Sequence, residues 1–275
     1  MRFKKFAAVA AAGVLAASLA LAGCSSGSTE TKSEDKSSDT KAESAYTLVQ
    51  DGTLTIATSP DYPPFENLEN GEAVGLDIDI AQAIADELGL KLEVKSLQFD
   101  GIITAIAAGG QADMGISGFT VDPERAKQVD FTSSYYVDDL AIAAMKGGAV
   151  TKDNAAEELN KEGVVIAVQS GTSGEDYCME NFPNATISPY GNSTDAFAAM
   201  QAGQAQYVCT NYAVVNRMLE SAYSDAEIVL PIATGEEYAI VISKDNSELL
   251  DAVNDAIAKL EKDGTIDELT NKWLG

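Results

Sequence analysis

The run Gly118-Phe119-Thr120-Val121-Asp122-Pro123-Glu124-Arg125 sets backbone amides, a hydroxyl and a guanidinium close together along the chain. One carboxylate could meet all three. Arg presents a rigid planar fork of N–H donors that matches a carboxylate in bidentate fashion, and Gly118 has no side chain to keep a ligand from the backbone. This is chemistry for holding a small organic acid. The 275-residue chain contains no His, which excludes a Ser-His-Asp triad, a His-ligated zinc and the usual imidazole acid or base. The acids left for an enzyme are Glu66, read as a solvated loop acid, and Glu175, read as a first-turn helix acid. Neither is assigned a catalytic role, and no metal or cofactor is implied.

The elements that must position these residues alternate. Leu54-Thr55-Ile56-Ala57 reads as a strand, and Asp77 to Leu88 puts Ile80, Ala81, Ile84 and Leu88 on one helical face before Gly89. Leu92-Glu93-Val94 is a second strand, Phe99 to Ala108 a helix ended by Gly109-Gly110, and Met114-Gly115-Ile116 a third strand. Gly118 to Thr120 therefore fall just past the carboxyl end of a strand, where open α/β sheets bind ligands. After Lys146-Gly147-Gly148 the order repeats, with a strand at Val164 to Val168 leading through a Gly/Ser-rich turn into a helix ending at Phe182. Then come a helix at Thr194 to Ala202, a strand at Tyr207 to Cys209 and a helix at Tyr212 to Leu219. A strand at Tyr238 to Ile242 and helices at Ser247 to Lys262 and Ile266 to Trp273 close the chain. Alternating strands and helices imply βαβ units and a mainly parallel sheet, and the unequal blocks fit two lobes better than one barrel.

Residues 1–23 have the basic start, apolar middle and small-residue end of a secretory signal. Residues 25–45 are almost devoid of apolar side chains, as in a flexible tether. The net charge of −25 repels nucleic acid and anionic lipid. Of the three Cys, Cys178 and Cys209 lie in the globular part. They would either form a disulfide or remain two separate buried thiols.

From Thr53 onward the chain resembles the polar amino-acid-binding proteins of ABC transporters, the solute-binding proteins of family 3. The resemblance rests on Tyr62-Pro63-Pro64-Phe65, Gly75-Leu76-Asp77-Ile78-Asp79, Gly118 to Arg125 with Val129-Asp130-Phe131-Thr132, Gln169 to Thr172, and Tyr238-Ala239-Ile240. It implies a two-lobed α/β fold of the periplasmic-binding-protein type II, with two mainly parallel sheets flanked by helices and joined by a two-strand hinge. Lobe 1 would comprise 46–137 and 236–275, lobe 2 would comprise 138–235, and the ligand would favour the closed form that the permease recognises. Leu21-Ala22-Gly23-Cys24 is similar to a bacterial lipobox, which implies a lipid on Cys24, residues 24–45 as anchor and linker, and a monomer on the outer face of the cytoplasmic membrane.

Carried over by position, Arg125 would grip the ligand carboxylate, Thr120 would add a hydroxyl and amide, and Gly118 a backbone group. Ser173, beside Thr172 at a helix start, would contribute from the other lobe, and Tyr62 and Phe99 would be aromatic walls, with Phe119 in the core. Two departures bear on the ligand. The position where the family usually carries an Asp for the ligand's ammonium is Asn211, so either another carboxylate substitutes or the ligand lacks an α-ammonium. Ser59 stands where binders of basic amino acids tend to hold an Asp, which argues against Lys, Arg or His. Gln169 and Ser170 would suit a polar neutral side chain, so the expected ligand is a neutral polar or aromatic amino acid. The competing classes are a dehydratase-like enzyme on the same fold and a sensory module, which would be expected to continue into a membrane span beyond Gly275.

Overall fold

A computed structural model describes residues 46–275, so the signal, Cys24 and the tether fall outside the described residues. The first half-sheet is built from β1 (Thr53–Thr58), β5 (Lys91–Ser96) and β6 (Met114–Gly115), all parallel. Between β1 and β5 lie a three-stranded antiparallel sheet of β2 (Asp61–Tyr62), β3 (Glu66–Glu69) and β4 (Glu72–Val74), and the helix α1 (Leu76–Glu87). Helix α2 (Phe99–Ala108) follows β5, burying Phe99, Ile102, Ile103 and Ile106 on one face.

The long strand β7 (Val129–Met145) then crosses to α3 (Ala155–Leu159), β8 (Val165–Gln169), α4 (Ser173–Asn181), β9 (Thr186–Tyr190), α5 (Ser193–Gln201), β10 (Tyr207–Asn211) and α6 (Tyr212–Ser221). An equally long strand, β11 (Ala226–Ser243), returns to α7 (Ser247–Lys262) and α8 (Thr265–Leu274). The sheet order is β5-β1-β6-β11-β7-β10-β8-β9, parallel at both flanks and antiparallel through the centre. The two parallel groups expected from the sequence are thus fused into one ladder by β7 and β11. That ladder is interrupted between Ile232 and Glu236.

Most elements match the sequence reading within a residue or two. The exceptions are the three short strands of the small sheet, β7, α3 and β9, none of which was expected, and β11, which begins at Ala226 rather than Tyr238. The last helix packs on the first, since Lys272 Nζ and Trp273 Nε1 on α8 each reach Asp79 Oδ2 on α1 at 2.6 Å. Cys178 and Cys209 are free, buried thiols in one apolar cluster. The neighbouring Cys178 thiol and burial together push the Cys209 thiol well up.

The small sheet fixes a buried acid pair behind the Gly118 loop. Gly75, at φ 141°, precedes α1, and a Cβ there would collide with the Phe65 carbonyl. This close approach brings Glu66 beside Asp77. Asp77 accepts hydrogen bonds from Gly118 N at 2.8 Å and Tyr135 Oη at 2.9 Å, while Glu66 Oε1 accepts from Ser117 Oγ at 2.6 Å. The reading of Glu66 as a solvated loop acid is corrected here: it is completely buried, because β3 is pinned under α1. Burial first, and then the charge of Asp77, raise the Glu66 pKa well above the carboxylate range, and burial raises Asp77 to about 6. Of the two, Glu66 is held higher and so takes the proton more readily.

An acid whose folded pKa is raised contributes stability that is full below its unfolded pKa, near 4, and is lost as pH rises through the folded value. For Asp77 that loss falls between about 4 and about 6, and for Glu66 it continues to higher pH. Glu66→Gln, which keeps a neutral donor beside Asp77, should therefore be at least as stable as the wild type at pH 8. Its unfolding free energy should also decline less between pH 5 and 8. Urea denaturation across that range tests this, and a large loss at pH 8 with an unchanged slope would show that Glu66 is ionised.

Candidate functional site

Strand ends from both halves of the sheet converge on one narrow cavity. Its lining includes Ser59 after β1, Gly118 and Thr120 after β6, Gln169 and Thr172 after β8, Ser173 at the start of α4, and Asn211 at the end of β10, with Tyr62, Glu66, Phe99 and Arg125. Of the candidate ligand contacts named from the sequence, Ser170 alone is not part of this lining.

The loop carrying Gly118 and Thr120 is laid along β11 by Ala239 N donating to Phe119 O at 3.0 Å and Val121 N donating to Glu237 O at 2.9 Å. Gly118 has φ 55°, and a Cβ there would press on Tyr238 and Tyr62 at 3.3 and 3.5 Å. Its N–H is committed to Asp77, so the group it offers the cavity is its carbonyl. Asp122 caps the turn that follows, accepting from Glu124 N and Arg125 N, which aims Arg125 back toward the cavity.

The Arg125 guanidinium donates to Thr120 O at 2.9 Å and to Gly171 O, across the cavity, at 2.8 Å. It lies 5.5 Å from the centre of the Phe99 ring, which stacks at 4.8 Å on Phe119; the latter is core, as expected. Burial lowers the Arg125 pKa, opposed by Asp122, Asp176 and Glu236, so the group stays cationic.

On the far wall Thr172 caps α4: its hydroxyl donates to Gln169 O at 2.8 Å and accepts from Glu175 N at 3.3 Å. That hydroxyl is thereby committed, and Thr172 has its backbone left for the cavity. Glu175 is the first-turn acid expected, accepting from Gly171 N at 2.7 Å. Tyr62 spans the cavity, its hydroxyl 2.7 Å from Thr210 Oγ1 and donating to Asn211 Oδ1 at 2.5 Å, and burial pushes its pKa up. Gln169 Nε2 makes longer contacts, at 3.4 Å, to Asp61 Oδ2 and Gly191 O.

Two carboxylates not singled out as site residues belong to the same network. Asp61 accepts from Ser59 Oγ at 2.8 Å and, across the mouth, from Ser193 N at the start of α5. Its pKa is raised by burial. Glu236 Oε2 accepts from Thr120, Ser173 and Asn211. Neither shows a periodicity or motif that would have marked it, since one sits in a Pro-flanked turn and the other at the interruption of β11.

Residues 54–275 match the bacterial extracellular solute-binding proteins, family 3. The ABC transporter glutamine-binding protein GlnH of Bacillus subtilis (strain 168) is 30% identical over 268 residues, covering 94% of each chain. The ABC transporter arginine-binding protein 1 of Escherichia coli (strain K12) is 29% identical over 226 residues, covering 80% of this chain and 90% of that protein. Among solved structures, the ancestral amino acid-binding protein AncCDT-1, a precursor of cyclohexadienyl dehydratase, is 37% identical with a TM-score of 0.74, covering 82% of this chain and 96% of that one.

Tyr62→Phe keeps the aromatic wall but removes the hydroxyl that meets Thr210 and Asn211, leaving the buried Asn211 carbonyl oxygen without its donor. The expected loss of stability is about 1–3 kcal/mol, read from urea denaturation at pH 7. A change below about 0.5 kcal/mol would mean that Tyr62 does not join the two walls.

Proposed function

The chain belongs to the bacterial extracellular solute-binding proteins of family 3, and we propose that it captures an amino acid zwitterion in this cavity and presents it to the permease of an ABC transporter. The observation that carries the proposal is Arg125, a half-buried cation lining the space between two walls, with Thr120 and Ser173 beside it. A ligand carboxylate would take the rest of the guanidinium fork and the backbone amides of Thr120 and Ser173, where the N-terminus of α4 also favours an anion; the two hydroxyls are given to Glu236. Charge-assisted hydrogen bonds contribute about 1.5–3 kcal/mol each, so a few sustain micromolar or tighter binding despite the cost of association.

The side chain is best read as neutral, polar or aromatic. Tyr62 and Phe99 supply flat walls, Ser59 and Gln169 supply hydrogen bonds, and Glu66 presents a protonated carboxyl. A basic side chain is the second reading, favoured by Asp61 directly behind Ser59 and Gln169.

The lobes are 46–137 with 236–275, and 138–235, hinged where β7 and β11 lose register. Ligand binding shifts the population to the closed form, because the closed form alone brings Arg125 and Ser173 to the same molecule. Signal cleavage before Cys24 and a lipid on that residue would tether the receptor, as a monomer, to the outer face of the cytoplasmic membrane.

The full chain, unfolded and refolded to strip carried-over ligand, is titrated calorimetrically with the twenty L-amino acids. At least one should saturate, and Arg125→Ala should weaken it by roughly a hundredfold or more. Binding indifferent to Arg125 would defeat the proposal, and tightest binding of Lys or Arg would select the second reading. Cys24→Ser should move the protein from the membrane to the soluble fraction of the producing cell. Persistent membrane fractionation of that variant would rule out lipid anchoring at Cys24.

A further inference from the structure

We infer that Glu236 is the residue that receives the ligand's α-ammonium, and so makes the receptor select amino acids over simple carboxylic acids; this rests on the zwitterion reading above. Glu236 lies directly behind the cavity lining, at the interruption of the β7–β11 ladder, hydrogen-bonded to three residues of that lining. Pairing stops at Ile232 with Leu140 and resumes at Glu236 with Asp138, and the intervening bulge is held by Gly235 N donating to Asp139 Oδ1 at 2.9 Å. The side chain is buried. Its Oε2 accepts from Thr120 Oγ1 at 2.7 Å, Ser173 Oγ at 2.8 Å and Asn211 Nδ2 at 2.9 Å, so it is fixed by cavity-lining groups from both walls. Its Oε1 receives no hydrogen bond among the described residues, which leaves acceptor capacity for an ammonium.

The orientation of Asn211 removes it as the acceptor. A carboxylate can only accept, so Asn211 must turn its NH₂ toward Glu236, and its carbonyl oxygen is taken by the Tyr62 hydroxyl at 2.5 Å. Residue 211 therefore positions Glu236 rather than replacing it. The other acids nearby are committed: Asp77 to Gly118 N and Tyr135, Asp61 to Ser193 N and Ser59, Asp138 to Asp139 N and Ala213 N. Arg125 and Glu236 form no ion pair with each other within 4.0 Å. Two opposite charges held apart, one lining the cavity and one bonded to its lining, are the complement of a zwitterion. Thr120, whose hydroxyl meets Glu236 and whose carbonyl meets Arg125, marks the Cα end of the ligand between them.

The test uses the full chain, the tightest-binding of the twenty L-amino acids, and the analogue in which hydrogen replaces its α-ammonium. Glu236→Gln should weaken the amino acid by at least about thirtyfold, the effect of leaving a buried charge unpaired, and leave the analogue within about twofold of the wild type. Glu236→Gln combined with Asn211→Asp returns a carboxylate to the ammonium and should recover part of the loss. Equal losses for both ligands, or tighter amino-acid binding by Glu236→Gln, would overturn the assignment. Should Glu236→Gln not fold, Glu236→Asp is judged by the same comparison of the two ligands. If the wild type binds none of the twenty, or Arg125→Ala is harmless, the zwitterion reading itself fails. An intact Arg125 effect with no selective Glu236 effect sinks this inference alone.

Discussion

The ladder between β7 and β11 must tie the two halves of the sheet together and yet break in the middle. Continuous antiparallel pairing would make one stiff, twisted sheet in which the two walls of the cavity kept a fixed separation. Instead the register is lost between Ile232 and Glu236, and Asp139 holds the bulge through Gly235 N. The break lets a few backbone dihedrals absorb a rotation while the hydrogen bonds on either side survive. It also sets Glu236 beside Thr120, Ser173 and Asn211, three residues of the cavity lining.

That arrangement explains why the site residues are scattered along the sequence but gathered in space. Ser59 follows β1, Gly118 follows β6, Gln169 ends β8 and Asn211 ends β10. Each lies at the carboxyl end of a parallel strand, where side-chain and backbone groups are free of the ladder. Because both groups of parallel strands face the interruption, their carboxyl ends point at one another across a space that neither half could enclose alone.

Much of this was legible in the sequence because its signals are local. Helical spacing of Ile102, Ile103 and Ile106, the glycines after α2, and the Arg after an Asp-Pro turn all act within a few residues. The hairpin between β3 and β4 had a local signal too, in Asn70-Gly71, whose positive φ values of 52° and 88° suit a tight turn. The burial of Glu66 had none. It depends on Gly75 approaching Phe65 and on Asp77 arriving from α1, contacts that exist only once the small sheet has folded. Glu236 was equally opaque, since a Gly-Glu-Glu run reads as a polar turn. Only the pairing of two strands about a hundred residues apart shows that one of those carboxylates faces inward.

The acid pair behind the Gly118 loop bears on which side chain the cavity accepts. The chain is strongly acidic, so a cavity wall that contains a Glu would seem to invite a basic ligand. Burial and Asp77 act together in the opposite direction, holding Glu66 protonated while Asp77 keeps its charge for Gly118 N and Tyr135. A cation arriving at Glu66 would gain a full charge partner only by expelling that proton, and would then leave two adjacent buried carboxylates ionised, which is costly unless both are well paired. A neutral amide or hydroxyl meets no such cost, because a protonated carboxyl can both donate to it and accept from it. Specificity then lies in a hydrogen-bond pattern, and an analogue lacking the polar group leaves buried partners unsatisfied, a stronger discrimination than a hydrophobic wall gives. Where relatives of this chain bind arginine and others glutamine, the choice between them needs no change of fold.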